Sequence, residues 1–313
     1  MTPLRVAISV EGRLTGSSMS ARPGPFSFER NGTVAIALAI MMLGANTAVL
    51  SGAWATSLAC VLILVVGLPH GALDIATMRQ AAPTAQPSAV GAYLGAATAM
   101  FVIWWASPLA GLAVFYTIAI IHFAHDWKSE RQPFFGHALS LALLSAPTFL
   151  HADVLAGLFV DLTGDTRAAL LVDILMLAAP VAIAVALVGL STMRSSQQSV
   201  EGICCLAAML ILPPVIGFAV FFGLFHSPRH FRDGWAKLGS DVQPGTTMRV
   251  AGMTLAGFGI AAVIYAVNER LSIPTGLLAA SMMTLSVLTV PHMLLETILE
   301  HSGGLARPAR RGS

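Results

Sequence analysis

The feature that most constrains the fold is a succession of nine apolar segments that occupies almost the whole chain. Each is close to the roughly 20 residues that a helix needs to cross the hydrocarbon core of a bilayer. Charged residues make up only 10% of the chain, whereas a soluble domain carries about 25%. The sequence therefore predicts an all-α fold, a polytopic bundle of transmembrane helices. The segments are residues 33–51, 54–78, 89–106, 108–127, 134–151, 168–191, 199–226, 248–267 and 274–299.

Lysines and arginines favour about eight spans over nine. Basic residues collect on the cytoplasmic side of membrane proteins, and nine spans with the N-terminus inside would put the basic loop 229–249 and the C-terminal arginines outside. Segment 134–151 is the weakest, because it contains two histidines and a proline. If it is re-entrant or interfacial, both termini are cytoplasmic. Removing the sixth or seventh segment would satisfy the charge rule equally, so the identity of the segment that does not span stays open.

Composition divides the chain into three regions. Residues 1–32 are polar and rich in Gly, Pro and Ser, and we expect a flexible cytoplasmic tail. Residues 33–302 are expected to form one transmembrane domain, and residues 303–313 a basic C-terminal tail. The net charge of +2 does not indicate a nucleic-acid partner. The three cysteines lie inside apolar segments and predict no disulfide framework.

Histidines lie near the ends of four apolar segments. Under the eight-span arrangement these segments are the second, fourth, sixth and eighth, and all four run toward the cytoplasm. Ionisable residues at membrane depth are costly and rarely idle, so this placement predicts one buried metal centre near the cytoplasmic side. The residues are His70 in GLPHGALD, His122 and His125 in IHFAHDW, His226 and His230 in FFGLFHSPRHFRD, and His292 in VPHMLLE.

His226 and His230 are the strongest candidates for a chelating pair. Positions i and i+4 point to one face of a helix. Pro228 disfavours one regular helix through both residues, so we expect Ser227 to cap a new helix with Pro228 in its first turn. The plainer alternative is a pair of interfacial histidines, with Arg229 as an ordinary cytoplasmic charge.

The other motifs supply further donors. Pro69 and Pro291 are expected to kink their helices just before His70 and His292. His122 is preferred over His125 because it lies deeper in its segment, although the choice between the two stays open. Carboxylates near these histidines are expected to accept the second ring N–H of a ligand histidine. They are Asp74, Asp126 and Glu296.

The donor set consists mainly of imidazole, which suits Fe, Zn, Cu or Ni. A zinc ion with four protein ligands would be closed and structural, whereas iron(II) with four histidines keeps open positions for O2. Aromatic and methionine side chains near the motifs are expected to line a long apolar cavity. They are Phe123, Trp127, Phe221, Phe222, Phe225 and Met293. The isolated residues His137, His151 and His301 are expected at the interface.

Four motifs together resemble the Brp/Blh family of membrane β-carotene 15,15'-dioxygenases. They are PHGALD at 69–74, HFAHDW at 122–127, FHSPRH at 225–230 and PHM at 291–293. The resemblance extends over about residues 35–300. The second motif departs from the family in one position, where Ala124 stands in place of an expected glycine.

The resemblance implies an Fe(II)-dependent dioxygenase that cleaves the central 15,15' double bond of β-carotene with O2, giving two molecules of all-trans-retinal. By motif matching, the iron ligands are His70, His122, His226 and His230. His292 is then a further ligand, a hydrogen-bond partner of the ligands or a proton relay. The resemblance also implies a multi-pass protein of the bacterial inner membrane, with the lipid bilayer as its surroundings and a role in carotenoid catabolism and retinal biosynthesis.

Two alternatives use the same histidines. A di-iron membrane desaturase or hydroxylase has HxxxH and HxxHH boxes, of which only HSPRH is present here. A histidine-lined metal transporter would use the residues as a relay. A retinal-binding opsin is disfavoured, because Lys128 and Lys237 lie in predicted loops.

Overall fold

The computed structural model describes residues 25–45, 52–81, 86–127, 134–193, 196–238, 244–271 and 276–301. Within these ranges every regular element is helical and no strand occurs, which confirms the predicted all-α fold. The α-helices are α1 (Pro25–Ala45), α2 (Ala53–Ala81), α3 (Gln86–Ala106), α4 (Pro108–Ala124), α5 (Phe135–Ser145), α6 (Thr148–Thr163), α7 (Ala169–Thr192), α8 (Ser196–Ile211), α9 (Pro214–Val220), α10 (Ser227–Lys237), α11 (Thr246–Leu271) and α12 (Leu277–His301). A 3-10 turn (His125–Trp127) follows α4, and a π-helix (Phe221–His226) joins α9 to α10.

Local sequence explains where several helices begin and end. Ser107 precedes α4, and its Oγ accepts a hydrogen bond from the Ala110 N–H at 3.3 Å. Proline opens α4 and α9, where its missing N–H needs no partner. Helix α6 is terminated by Gly164, the residue after its last turn, whose φ of +66° is a left-handed conformation that only glycine adopts freely.

The chain is a helical membrane protein. Among the described residues, five helical stretches are long and apolar enough to cross a membrane. They are Ala53–Leu73, Pro108–Trp127, Thr166–Thr192, Thr246–Asn268 and Leu277–Leu295. On α7 the large apolar side chains of Leu177 and Val188 are 83% and 65% exposed, as expected of a helix that faces lipid.

A bent helix pair provides a sixth candidate span. Helices α5 and α6 meet at an angle of 69°, which fits either a broken span or a re-entrant loop. This pair contains the weak segment 134–151. The described residues also include shorter apolar helices, so the total of about eight spans stays a prediction. So does the three-region division, although α1 begins at Pro25, within the range predicted as a tail.

One predicted segment, 199–226, is not a single helix. It comprises α8, α9 and the π-helix, with a break at Pro213 and Pro214. Proline cannot donate the backbone hydrogen bond that would continue the ladder. The chain then stays helical to Lys237, so the predicted loop 229–249 begins as helix α10.

Helix α2 organises the bundle around the predicted site. It packs against α10, α11 and α12, and α12 also packs against α3. Both α2 and α12 continue through their prolines, Pro69 and Pro291. Helix α5 packs against α4 and α7. This packing brings the end of α4, the π-helix and α12 together in one buried region.

Candidate metal centre

Helix α4 and the turn that follows it carry two inward-facing groups. His122 lies in the last turn of α4 and is buried. The 3-10 turn then changes the direction of the chain, and the Asp126 side chain becomes almost fully buried. Trp127 packs in the core beneath the turn. His122 therefore faces the interior from α4 itself, and the 3-10 turn adds Asp126 to the same buried region.

A π-helix presents His226. The Ser227 N–H bonds to the carbonyl of Phe222, five residues back, which widens the last turn before α10. Such turns are frequent at functional sites. His226 is the last residue of this turn, and His230 lies one turn into α10, with 4.5 Å between the two ring centroids. As predicted, Pro228 lies in the first turn of α10 and His226 precedes it.

The predicted role of Ser227 as a helix cap is wrong. Ser227 has helical angles, φ −63° and ψ −44°, whereas a capping residue has extended ones. Its hydroxyl donates instead to the Val66 carbonyl of α2 at 2.6 Å. The residue thus ties α10 to α2, because a buried hydroxyl takes the partner that packing offers.

Asp126 joins the two histidines of this helix pair. Its Oδ2 lies 2.7 Å from His226 Nδ1, and its Oδ1 lies 2.7 Å from His230 Nε2. On its other edge, His226 Nε2 lies 3.2 Å from His122 Nε2. The centre therefore combines three imidazoles and one carboxylate from residues about 100 positions apart.

His292 of α12 completes the described cluster. Its ring centroid lies 5.2 Å from that of His122 and 6.5 Å from that of His230, and the side chain is buried. His125, by contrast, is half-buried and its Nδ1 lies 3.0 Å from the carbonyl of Ile121 in its own helix. Of the two histidines left open by the sequence, His122 is the one beside His226.

Several predicted residues lie elsewhere or outside the described part. The side chains of His70, Asp74 and Glu296, and residues 128–133, lie outside what the structure describes. His137 is exposed, and its position at the membrane interface stays a prediction. His151 interrupts the regular geometry of α6, and its Nε2 lies 3.1 Å from the Ile211 carbonyl.

Sequence reasoning missed an ion pair beside the centre. Arg229 is not simply a cytoplasmic charge: its guanidinium lies 2.6 Å from Glu201 Oε2, and both side chains are largely buried. The same guanidinium lies over the Trp127 ring at 5.1 Å and donates to the Asp126 carbonyl at 3.4 Å. The signal that could have revealed it is the lone acidic residue of α8, Glu201, in a mostly apolar helix.

An apolar cavity reaches the centre from one side. This outer cavity has a volume of about 230 Å³ and is lined by residues of α2, α3, α4, α9, α11, α12 and the π-helix. His122 and His292 belong to its lining, and most of the remaining lining is apolar. Phe123 and Phe222 line it as expected, whereas Trp127, Phe221 and Phe225 are buried in the surrounding core.

The donor set fits a metal ion. Asp126, His226 and His230 each offer a ligand atom, all within 4.8 Å of one another. Two nitrogens that bind one ion at about 2.1 Å lie at most about 4.2 Å apart, and the Nε2 atoms of His122 and His226 satisfy this limit at 3.2 Å. The buried His122 Nδ1 has no hydrogen-bond partner among the described residues. Imidazoles with a carboxylate beside them suit iron, zinc, copper or nickel.

Comparison with known proteins identifies the family. Residues 61–300 match the model of the family described as "Beta-carotene 15,15'-dioxygenase". The chain belongs to the beta-carotene 15,15'-dioxygenase family. It is also 30% identical over 255 residues to the "Beta-carotene 15,15'-dioxygenase" of Uncultured marine bacterium 66A03, covering 76% of this chain and 91% of that relative.

Beta-carotene 15,15'-dioxygenases are oxygenases, so the chain belongs to an enzyme family. The match also confirms the resemblance drawn from the four motifs. The matched range includes all the histidines of the cluster together with Asp126 and Glu201. Residues 1–60 lie outside the family match. No solved structure matches the chain.

Proposed function

We propose that this protein is an Fe(II)-dependent dioxygenase that cleaves the central 15,15' double bond of β-carotene with O2, giving two molecules of all-trans-retinal. The single observation that carries the proposal is the buried His–Asp cluster at the wall of an apolar cavity, in a chain of this family. In the balanced reaction the carbon–carbon double bond breaks, and each new aldehyde receives one atom of O2.

The proposed iron ligands are His70, His122, His226 and His230. Asp126 would hold the rings of His226 and His230 in orientation by accepting their N–H groups, as carboxylates commonly do for ligand histidines. The contacts at 2.7 Å support this role. When bound, iron(II) would supply the O2-dependent redox chemistry that no side chain provides.

The apolar walls would position the polyene. A hydrocarbon offers no polar group to recognise, so its register must come from the shape of the cavity. Phe123 and Phe222 line the outer cavity, and Phe222 stacks on the His226 ring with 5.3 Å between centroids. These side chains would exclude water and hold the central bond beside the histidines. His292, at the same cavity wall, is placed to exchange a proton or to join the ligands.

We also propose that the protein spans the bacterial inner membrane about eight times, with both termini and the metal centre on the cytoplasmic side. Carotenoids dissolve in the bilayer, so a site among membrane helices can receive them without passage through water. Regions 1–32 and 303–313 would then be cytoplasmic tails of the catalytic domain 33–302.

Expression in bacterial cells that accumulate β-carotene tests the function. We expect the wild type to remove the orange colour and to produce retinal, detected by chromatography, and purified protein to contain about one iron per chain. His226→Ala should lose both retinal formation and iron, while the exposed control His137→Ala should keep both. Unchanged carotene in cells that contain folded wild-type protein would refute the proposal.

The same measurements separate the alternatives. A di-iron desaturase or hydroxylase would contain two irons per chain and would leave the polyene uncleaved. A metal transporter would move metal across proteoliposome membranes and produce no retinal. The family match supports neither alternative.

A further inference from the structure

A second cavity lies directly behind the outer cavity. This inner cavity shares a wall with the outer one, formed by Phe115, Ala119 and Phe218. Beyond the wall it extends between α4, α6, α9 and α12. None of the described histidines lines it. The inner cavity therefore adjoins the outer one but contains none of the described histidines.

One face of α4 runs along both cavities. Leu112 lines the inner cavity, Phe115 and Ala119 line both, and His122 lines the outer cavity. Their spacing of three, four and three residues is that of a single helix face. At 1.5 Å per residue the stretch from Leu112 to His122 covers about 15 Å. The cavities thus lie in line along α4, and the inner one leads away from the histidines.

The inner cavity is apolar, and most of its lining side chains are buried. Among its described lining residues none is charged, and Tyr116 supplies the hydroxyl group. None of them is exposed, whereas Leu94 and Ile260 of the outer cavity are 60% and 39% exposed. Its volume is about 70 Å³, and one water needs about 10–15 Å³ together with polar partners. A cavity of this volume with an apolar lining favours an apolar guest over water.

Aromatic rings shape the passage between the cavities. Phe218 stacks on Phe222 with 5.4 Å between centroids and 17° between planes, and Phe123 lies 6.2 Å from Phe218. Flat rings at a narrow passage suit a flat, conjugated chain. The exposed members of the outer cavity, Leu94 on α3 and Ile260 on α11, mark the side at which it reaches the lipid-facing surface.

We propose that the inner cavity is a second subsite, which takes the leading arm of a long polyene past the metal centre while the outer cavity retains the trailing arm. The inference rests on the proposed function, because a substrate cut at its middle needs room on both sides of the reacting bond. The polyene enters from the bilayer between α3 and α11, passes His122 and His292, and threads the wall at Phe115 and Phe218.

Filling the inner cavity tests this assignment. Val215 of α9 lines the inner cavity and not the outer one, so Val215→Phe narrows it without touching a histidine. The substrates are β-carotene and β-apo-8'-carotenal, which keeps one full arm and the central bond but has a shorter second arm. We expect kcat/KM for β-carotene to fall about tenfold or more, and kcat/KM for the apocarotenal to change by less than about threefold.

The matched control is Val188→Phe, at a lipid-facing position of α7 outside both cavities, and it should leave both values unchanged. If Val215→Phe does not fold, Leu278→Phe fills the same cavity from α12, with Leu177→Phe as its exposed control. Polyene absorbance retained by metal-stripped protein gives a second readout, in which the filled variants should hold the apocarotenal but lose β-carotene.

Two results overturn the inference while the proposed function stands. In one, the filled variants cleave β-carotene as fast as an active wild type. In the other, variants that fill the inner cavity fold correctly but lose kcat/KM for β-carotene and for the apocarotenal equally. A wild type that converts neither substrate overturns the proposed function itself, and this inference falls with it.

Discussion

At the scale of single residues, Asp126 is the side chain that links two histidines of the centre. One carboxylate accepts contacts from two histidines at 2.7 Å each, and its side chain is 1% exposed. A carboxylate has two equivalent acceptor oxygens, so it can serve two N–H donors at once. Among the side chains, only the carboxylates of aspartate and glutamate offer this symmetry.

Asp126→Asn should weaken iron binding without unfolding the protein. The amide keeps the shape but has only one acceptor oxygen, so one of the two histidines loses its partner. We expect the iron affinity to fall by about 10–100-fold, measured by metal titration of the chelator-treated protein. Asp153→Asn, at an exposed position of α6, serves as the control. An unchanged affinity in the folded Asp126→Asn variant would contradict the orienting role.

The Glu201–Arg229 pair acts on the same turn from the outside. Arg229 contacts both the Trp127 ring and the Asp126 carbonyl, so the pair braces the chain that presents Asp126. Glu201→Gln should reduce stability by about 1–3 kcal/mol, because a largely buried guanidinium loses its charged partner. Thermal unfolding in detergent measures this. Asp165→Asn at the exposed Arg167 pair should change little; equal effects of the two variants would argue against a bracing role.

At the scale of elements, the close approach of α5 to the end of α4 fixes the position of the centre. A Cβ at Gly136 would lie closer than van der Waals contact to the Ala124 carbonyl oxygen, which is backbone and cannot swing aside. Ala124 immediately precedes the turn that carries Asp126. The glycine thus allows α5 to pack where a larger residue would push the turn outward.

Gly136→Ala should therefore destabilise the protein and reduce retinal formation together. We expect a loss of about 1–3 kcal/mol, typical of forced overpacking, seen as a lower midpoint of thermal unfolding. Gly157→Ala is the matched control, since a Cβ there meets no atom within 4 Å, and in a helix alanine is favoured over glycine. If Gly136→Ala and Gly157→Ala are both as stable as the wild type, the close approach of Gly136 to the Ala124 carbonyl does not limit how α5 packs on α4.

At the scale of the whole molecule, the proposed orientation follows from charge rather than from packing. An even number of spans puts both termini on one side, and the basic C-terminal tail favours the cytoplasm. Reporter fusions at the two ends check this: a fluorescent protein should be active and an exported phosphatase inactive at both. Activity patterns that place the ends on opposite sides would show an odd number of spans and overturn the eight-span arrangement.

The amino-acid sequence by itself determined the class of the molecule. The length and low charge of the apolar segments require helices in a bilayer, because lipid offers backbone groups no partner outside their own helix. The order of the histidine motifs also sufficed for the family. These properties are local or depend only on order along the chain, so no knowledge of packing was needed.

Only the tertiary structure decided which groups meet. The contacts of Asp126 with His226, of Glu201 with Arg229 and of Ser227 with Val66 depend on how each helix is rotated about its axis. An amphipathic helix reveals its rotation through its polar face, but a helix that is apolar on all sides, such as α4, does not. The contact of His122 with His226 and the alignment of the two cavities along α4 follow from that rotation. Both became visible only when the helices were packed together.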